Sequence, residues 1–150
     1  MISRILVLMI VFIFPLLAIA EKGVVTIESE YSVEVTSERF ESIIKAKKFT
    51  VFSRIDHQKN ATNVNLKIRP STLILFGNPK VGTKLIQCAQ SVAIDLPQKV
   101  LVWADSDDKV WLSYNDPEFI AERHNIQGCD MLINRISKVL SKLSLAATKK

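Results

Sequence analysis

Hydrophobic and polar positions change their spacing several times along this chain, and each change marks an element. Met1 to Arg4 lead into an apolar run from Ile5 to Ala20 that only Pro15 interrupts. Val24-Val25-Thr26-Ile27 gives a short strand, and Val33 and Val35 alternate with polar residues before Thr36. Thr36 or Ser37 is placed to cap a helix whose Phe40, Ile43 and Ile44 share one face, with Glu41 and Lys45 one turn apart outside. Phe49 to Ile55 reads as the next strand. Asp56 offers a cap for a short polar helix reaching Val64, and Leu66, Ile68 and the run from Leu73 to Phe76 continue the sheet. Val81 to Gln90 reads as a second short helix.

A hairpin is the clearest local signal. Val100 to Ala104 and Val110 to Tyr114 flank the polar stretch Asp105 to Lys109, and alternation puts Leu101 and Trp103 on one face. Asn115-Asp116-Pro117-Glu118 then supplies a cap and a proline at the first helical position, opening a helix that carries Phe119, Ile120 and His124. After Gly128, an amphipathic helix over 129–145 places Leu132, Ile136, Val139, Leu140 and Leu143 at helical spacing, and Lys149-Lys150 are expected to fray. No internal repeat interrupts the series. The pattern predicts a single α+β domain over 21–150, a mainly antiparallel sheet with helices packed on it.

Composition changes the picture at the amino end. The run from Ile5 to Ala20 is shorter than the roughly 20 residues a membrane-crossing helix needs, and it ends in the small-residue pattern Ala18-Ile19-Ala20. Residues 1–20 therefore read as a secretory signal peptide, with export to the periplasm or extracellular space and no membrane span once it is removed. Without those residues the chain is an ordinary globular domain, and losing Arg4 lowers the formal charge from +5 to +4. Such a charge bears on solubility rather than on nucleic acid, for which no role is expected. Export would let Cys88 and Cys129 form a disulfide, although two small buried thiols are the plainer reading of the sequence.

Two motif-like stretches carry no chemistry. Phe76 to Lys84 approaches the phosphate loop, but Thr83 precedes Lys84 where the motif needs lysine first, and Pro79 removes a backbone N–H from the would-be cradle. Asp105-Ser106-Asp107 opens like a calcium loop, yet Lys109 and Val110 stand where a ligand and the turn glycine belong. A constellation remains: Asp56, His57, Asn78, Tyr114, Asn115 and His124 all lie at or beyond predicted strand ends and form a candidate ligand pocket. Within it His57 and His124 are the candidate metal ligands, and His57 oriented by Asp56 is a candidate base. The plainer alternative makes Asp56 and Asp116 helix caps, Asn78 a turn residue and the histidines structural. No nucleophile stands out, since Ser53 and Ser113 fall in strands and Cys88 in a helix.

The stretches "FTVFSRIDHQKNA", "RPSTLILFGNPKVGT", "IDLPQKVLVW" and "KVWLSYNDPEFIAERH" occur in the order found in the domain of unknown function 302 family (DUF302), which the chain resembles over about 29–126. The resemblance implies a small α+β fold like that of the TATA-binding-protein class and frequent homodimers; it implies no established activity and specifies no cofactor. Lys48 stands where the family usually has glycine, so a left-handed helix exit there would cost about 1 kcal/mol. The resulting expectation is an exported binding or interaction domain, homodimeric, with a small-molecule ligand at the candidate pocket. Its rival is a small metal-dependent or hydrolase-like enzyme using His57 with Asp56.

Overall fold

The computed structural model describes residues 22–150, so the segment 1–20 read above as a signal peptide lies outside the described residues. In chain order the elements are β1 (Val24–Ser29), α1 (Val33–Ala46), β2 (Thr50–Asp56), α2 (His57–Asn63), β3 (Ser71–Gly77) and α3 (Pro79–Cys88). A 3-10 turn over Gln90–Asp95 then leads to β4 (Gln98–Ala104), β5 (Val110–Asn115), α4 (Pro117–Arg123) and α5 (Asp130–Thr148). The five strands form one antiparallel sheet in the order β1-β5-β4-β3-β2, and the domain is α+β.

Strand alternation sorts the sheet into two unlike faces. Ile74, Phe76, Val100, Val102 and Leu112 are wholly buried on the inner face, where they join Phe40 and Ile44 of α1 and Leu140 and Leu143 of α5. Phe76 meets the edge of Phe40 at 5.0 Å between ring centres. Each such side chain contributes about 1.5–3 kcal/mol by leaving water, which makes this layer the main source of stability.

Three expectations need correction. Val33 and Val35 belong to α1, because Ser32 Oγ accepts from the Val35 N–H and caps the helix four residues before Thr36, so that it starts at Val33. Leu66 and Ile68 are exposed in the connection ahead of β3, which begins only at Ser71. The carboxyl end is held rather than frayed. Arg39 Nε donates to the Ala147 carbonyl at 3.0 Å, and its Nη2 donates to the carbonyls of Ala146 and Lys149 at 3.0 and 2.9 Å. A cation thus satisfies the open end of α5, where the helix dipole favours one. Lys48 does adopt the left-handed exit, at φ 60°. Cys88 and Cys129 are joined in a disulfide that ties the end of α3 to the residue before α5.

Candidate functional site

Register decides which of the six candidate residues can meet. Thr50 pairs with Gly77 and Asp56 with Thr72, so Asp56 and His57 sit at the opposite end of the sheet from Asn78. Val24 pairs with Asn115 and Val100 with Tyr114, which puts Tyr114 and Asn115 at the Asn78 end. The length of β2, about 20 Å at the usual rise, separates the two groups. The six residues do not form one pocket. His57 and His124 are likewise not brought together, and among the described residues no group of three or more His, Cys, Asp or Glu side chains is arranged to hold a metal ion.

Several of the six have structural work instead. Asp56 Oδ1 accepts from the Lys59 N–H at 2.9 Å and starts α2, and Asn78 Oδ1 accepts from the Lys80 N–H at 3.0 Å and starts α3. Asp116 does the same for α4 through the Glu118 N–H. Tyr114 is buried on the inner face, and burial, reinforced by the nearby Asp116 carboxylate, pushes its phenol above the usual value.

His124 has partners that sequence reasoning missed. Its Nε2 lies 2.6 Å from Asp95 Oδ2, and its Nδ1 lies 3.0 Å from Ser91 Oγ. The imidazole and the Asp95 carboxylate are nearly enclosed, while Ser91 is exposed. Arg123 adds a 3.3 Å contact to the other Asp95 oxygen. With a proton on Nε2 shared with Asp95, Nδ1 is an acceptor aimed at a serine hydroxyl, the arrangement needed to activate a nucleophile. The disulfide holds this cluster: Ser91 and Asp95 follow Cys88 closely, and His124 precedes Cys129. That bracketing was the available signal, along with an aspartate before Leu96-Pro97 that has no helix to cap.

Neither of two surface hollows is lined by Ser91, Asp95 or His124. One, of about 580 Å³, lies along the exposed side of α5, and the other, of about 350 Å³, lies between α4 and α5 beside Ala121, Ile126 and Ile133. None of the six candidate residues lines either.

The outer face of the sheet is a different kind of surface. Leu73 and Leu75 alternate with the buried Thr72, Ile74 and Phe76, and in register beside them stand Ile55, Leu101, Trp103 and Trp111, all only partly buried. Trp103 and Trp111 are direct cross-strand partners. Trp103 Nε1 donates to Ser113 Oγ at 3.0 Å, and Trp111 Nε1 donates to Asp105 Oδ2 at 2.7 Å. The Trp111 bond, aided by the N–H groups of Asp107 and Lys109, holds the Asp105 carboxyl below its ordinary range against a smaller desolvation effect. Asp105 is therefore committed to the hairpin. Both indole N–H groups are satisfied within the sheet, so the rings present apolar surface with no polar demand of their own.

A family model described as "Domain of unknown function DUF302" matches residues 25–143, which extends the resemblance over β1 and most of α5. A solved structure, the uncharacterized conserved protein DUF302 from Bacillus stearothermophilus, superposes with a TM-score of 0.76 at 18% identity, covering 86% of this chain and 100% of that one. The fluoride-specific ion channel FluC 1 of Brucella suis biovar 1 (strain 1330) is 42% identical over 112 residues, 75% of this chain and 44% of the relative. FluC 2 of Brucella melitensis biotype 1 (strain ATCC 23456 / CCUG 17765 / NCTC 10094 / 16M) matches at 42% identity over 75% of this chain and 42% of its own length. The chain thus spans less than half the length of these curated relatives.

Proposed function

The chain belongs to the DUF302 family, whose description names no activity, and from that premise we propose that it is an exported interaction domain that pairs with a second copy through its outer sheet face. The observation that carries this reading is the apolar face itself: both tryptophans of the chain and three leucines line one side of the sheet, with no helix layer over them among the described residues. Surfaces of this kind mark places where another molecule belongs. A second copy is the favoured occupant because the apolar stripe of Leu73, Leu101, Trp103 and Trp111 can meet its own two-fold copy, with the opposite charges of Glu28, beside Trp111, and Lys99, beside Leu75, on the same face.

The ion channel named in the Brucella relatives is a property of those proteins. Among the described residues no helix is long and apolar enough to cross a membrane. Light scattering on the chain beginning at Glu21 should give a dimer at micromolar concentration. Leu73→Glu and Leu101→Glu should each give a folded monomer, because a carboxylate would be desolvated in the interface. A wild-type monomer, or a dimer indifferent to both substitutions, defeats the proposal.

A second reading, hydrolase-like chemistry, has one observation in its favour, the Ser91–His124–Asp95 chain of hydrogen bonds. In it Ser91 Oγ would attack an ester carbonyl while His124 Nδ1 takes the hydroxyl proton and returns it to the departing alkoxide; water then releases the acyl group from Ser91. A fluorophosphonate should label Ser91 and fail to do so in His124→Ala. If Ser91 resists the reagent at every pH tried, the cluster is a structural tie between the 3-10 turn and α4.

A further inference from the structure

Positive charge is distributed unevenly along the chain. From Lys22 to Asp130 there are fourteen basic and fourteen acidic residues, whereas Met131 to Lys150 holds Arg135, Lys138, Lys142, Lys149 and Lys150 with no acid at all. Arg4 and Glu21 cancel, so the whole formal charge of +5 resides in residues 131–150.

Folding arranges that charge as a row. Met131, Arg135, Lys138, Lys142 and Leu145 recur at alternating four- and three-residue intervals, which keeps them on one helical face, and all five are exposed. Met131 is 89% exposed and Leu145 47%, while Ile133, Ile136, Leu140 and Leu143 on the opposite side enter the core. The hollow of about 580 Å³ runs along this row. Lys45, Arg54, Arg123 and Lys149 have acidic partners, but among the described residues no carboxylate lies within 4.0 Å of Arg135, Lys138 or Lys142.

We propose that this face of α5 docks on an anionic lipid bilayer with the helix axis in the membrane plane. Charge complementarity argues for a polyanion, and the two ends of the row argue for a lipid one. Met131 and Leu145 bracket the cations, so they can enter the acyl boundary while Arg135, Lys138 and Lys142 extend to the phosphates. A nucleic acid or an acidic protein segment would meet the cations and leave these two side chains without an apolar partner. The docking face lies on the helix layer, away from the outer sheet face, and the inference holds whether or not the chain dimerises.

Co-sedimentation with vesicles is the test, using the chain from Glu21 onward. The described residues 22–150 share one fold with the Bacillus stearothermophilus structure, which they match over 100% of its chain. Binding should be clear on vesicles containing about one third phosphatidylglycerol, weaken steeply with salt, and be negligible on phosphatidylcholine alone. Replacing Arg135, Lys138 and Lys142 together with glutamine should lower the partition coefficient by about two orders of magnitude, at roughly fivefold for each cation. Met131→Ser should lower it a further few fold, with circular dichroism unchanged in both variants. No binding to anionic vesicles, or binding that survives the triple substitution, overturns the proposal. So does a short DNA duplex that binds through the same three residues when the vesicles do not.

Discussion

Lys48 stands left-handed at φ 60° in the exit from α1, where a β-carbon crowds the neighbouring carbonyl. Asn65, Asp108 and Asn125 share that conformation, but short polar side chains tolerate it and a lysine does not. Lys48→Gly should therefore raise stability by about 0.5–1 kcal/mol, the relief being partly offset by glycine's freedom in the unfolded chain. Urea titration would read it, and an unchanged or lowered midpoint would refute the strain. Capping is where single residues were most legible. Asp56, Asn78 and Asp116 precede helices in sequence and cap them in space, since an acceptor oxygen ahead of a helix is a local instruction. Asp56 and Asn78 also belong to the candidate pocket, and in each the Oδ1 accepts a backbone N–H of the helix that it starts. Asp95 is harder to read, because its partner His124 lies 29 positions along the chain and its one local sign is that it has no helix to cap.

Elements were predicted well where one period ran without competition, as in the hairpin of β4 and β5 and in α5. The errors fall where two local preferences collide. Val33 and Val35 are β-branched and alternate, which favours a strand, but the Ser32 cap and the apolar face shared by Val33, Phe40 and Ile44 outweigh that preference. Leu66 and Ile68 alternate as well, yet no neighbouring strand exists to pair them ahead of Ser71. Between elements, the disulfide is the strongest single tie. It closes a span of 41 residues, for which loss of unfolded-chain entropy gives about 4 kcal/mol. Reduction, or Cys88→Ala with Cys129→Ala, should lower the urea midpoint accordingly and loosen the Ser91–His124–Asp95 cluster, seen as faster exchange of the imidazole proton. A midpoint indifferent to reductant would mean that the disulfide adds nothing to stability.

At the scale of the molecule, the sheet divides two tasks between its sides. The inner face supplies the core, the outer face offers the surface proposed for pairing, and α5 turns its cations away from both. The proposed dimer would carry its two α5 rows on opposite outsides, so that a flat bilayer engages one copy at a time. Strand order has a further consequence, which concerns time rather than shape. β1 is synthesised first but pairs only with β5, so that Thr26 bonds Ser113 across 87 positions, and Arg39 completes its bonds with carbonyls more than 100 positions later. Loop closure on this scale must precede its reward, which makes folding slower than in a helical bundle of local contacts. An emerging chain therefore cannot close its sheet until β5 has appeared, nor cover its helical layer until the last residues of α5 are free. Up to that moment it remains open and threadable, the state in which a polypeptide can be passed through a translocation pore.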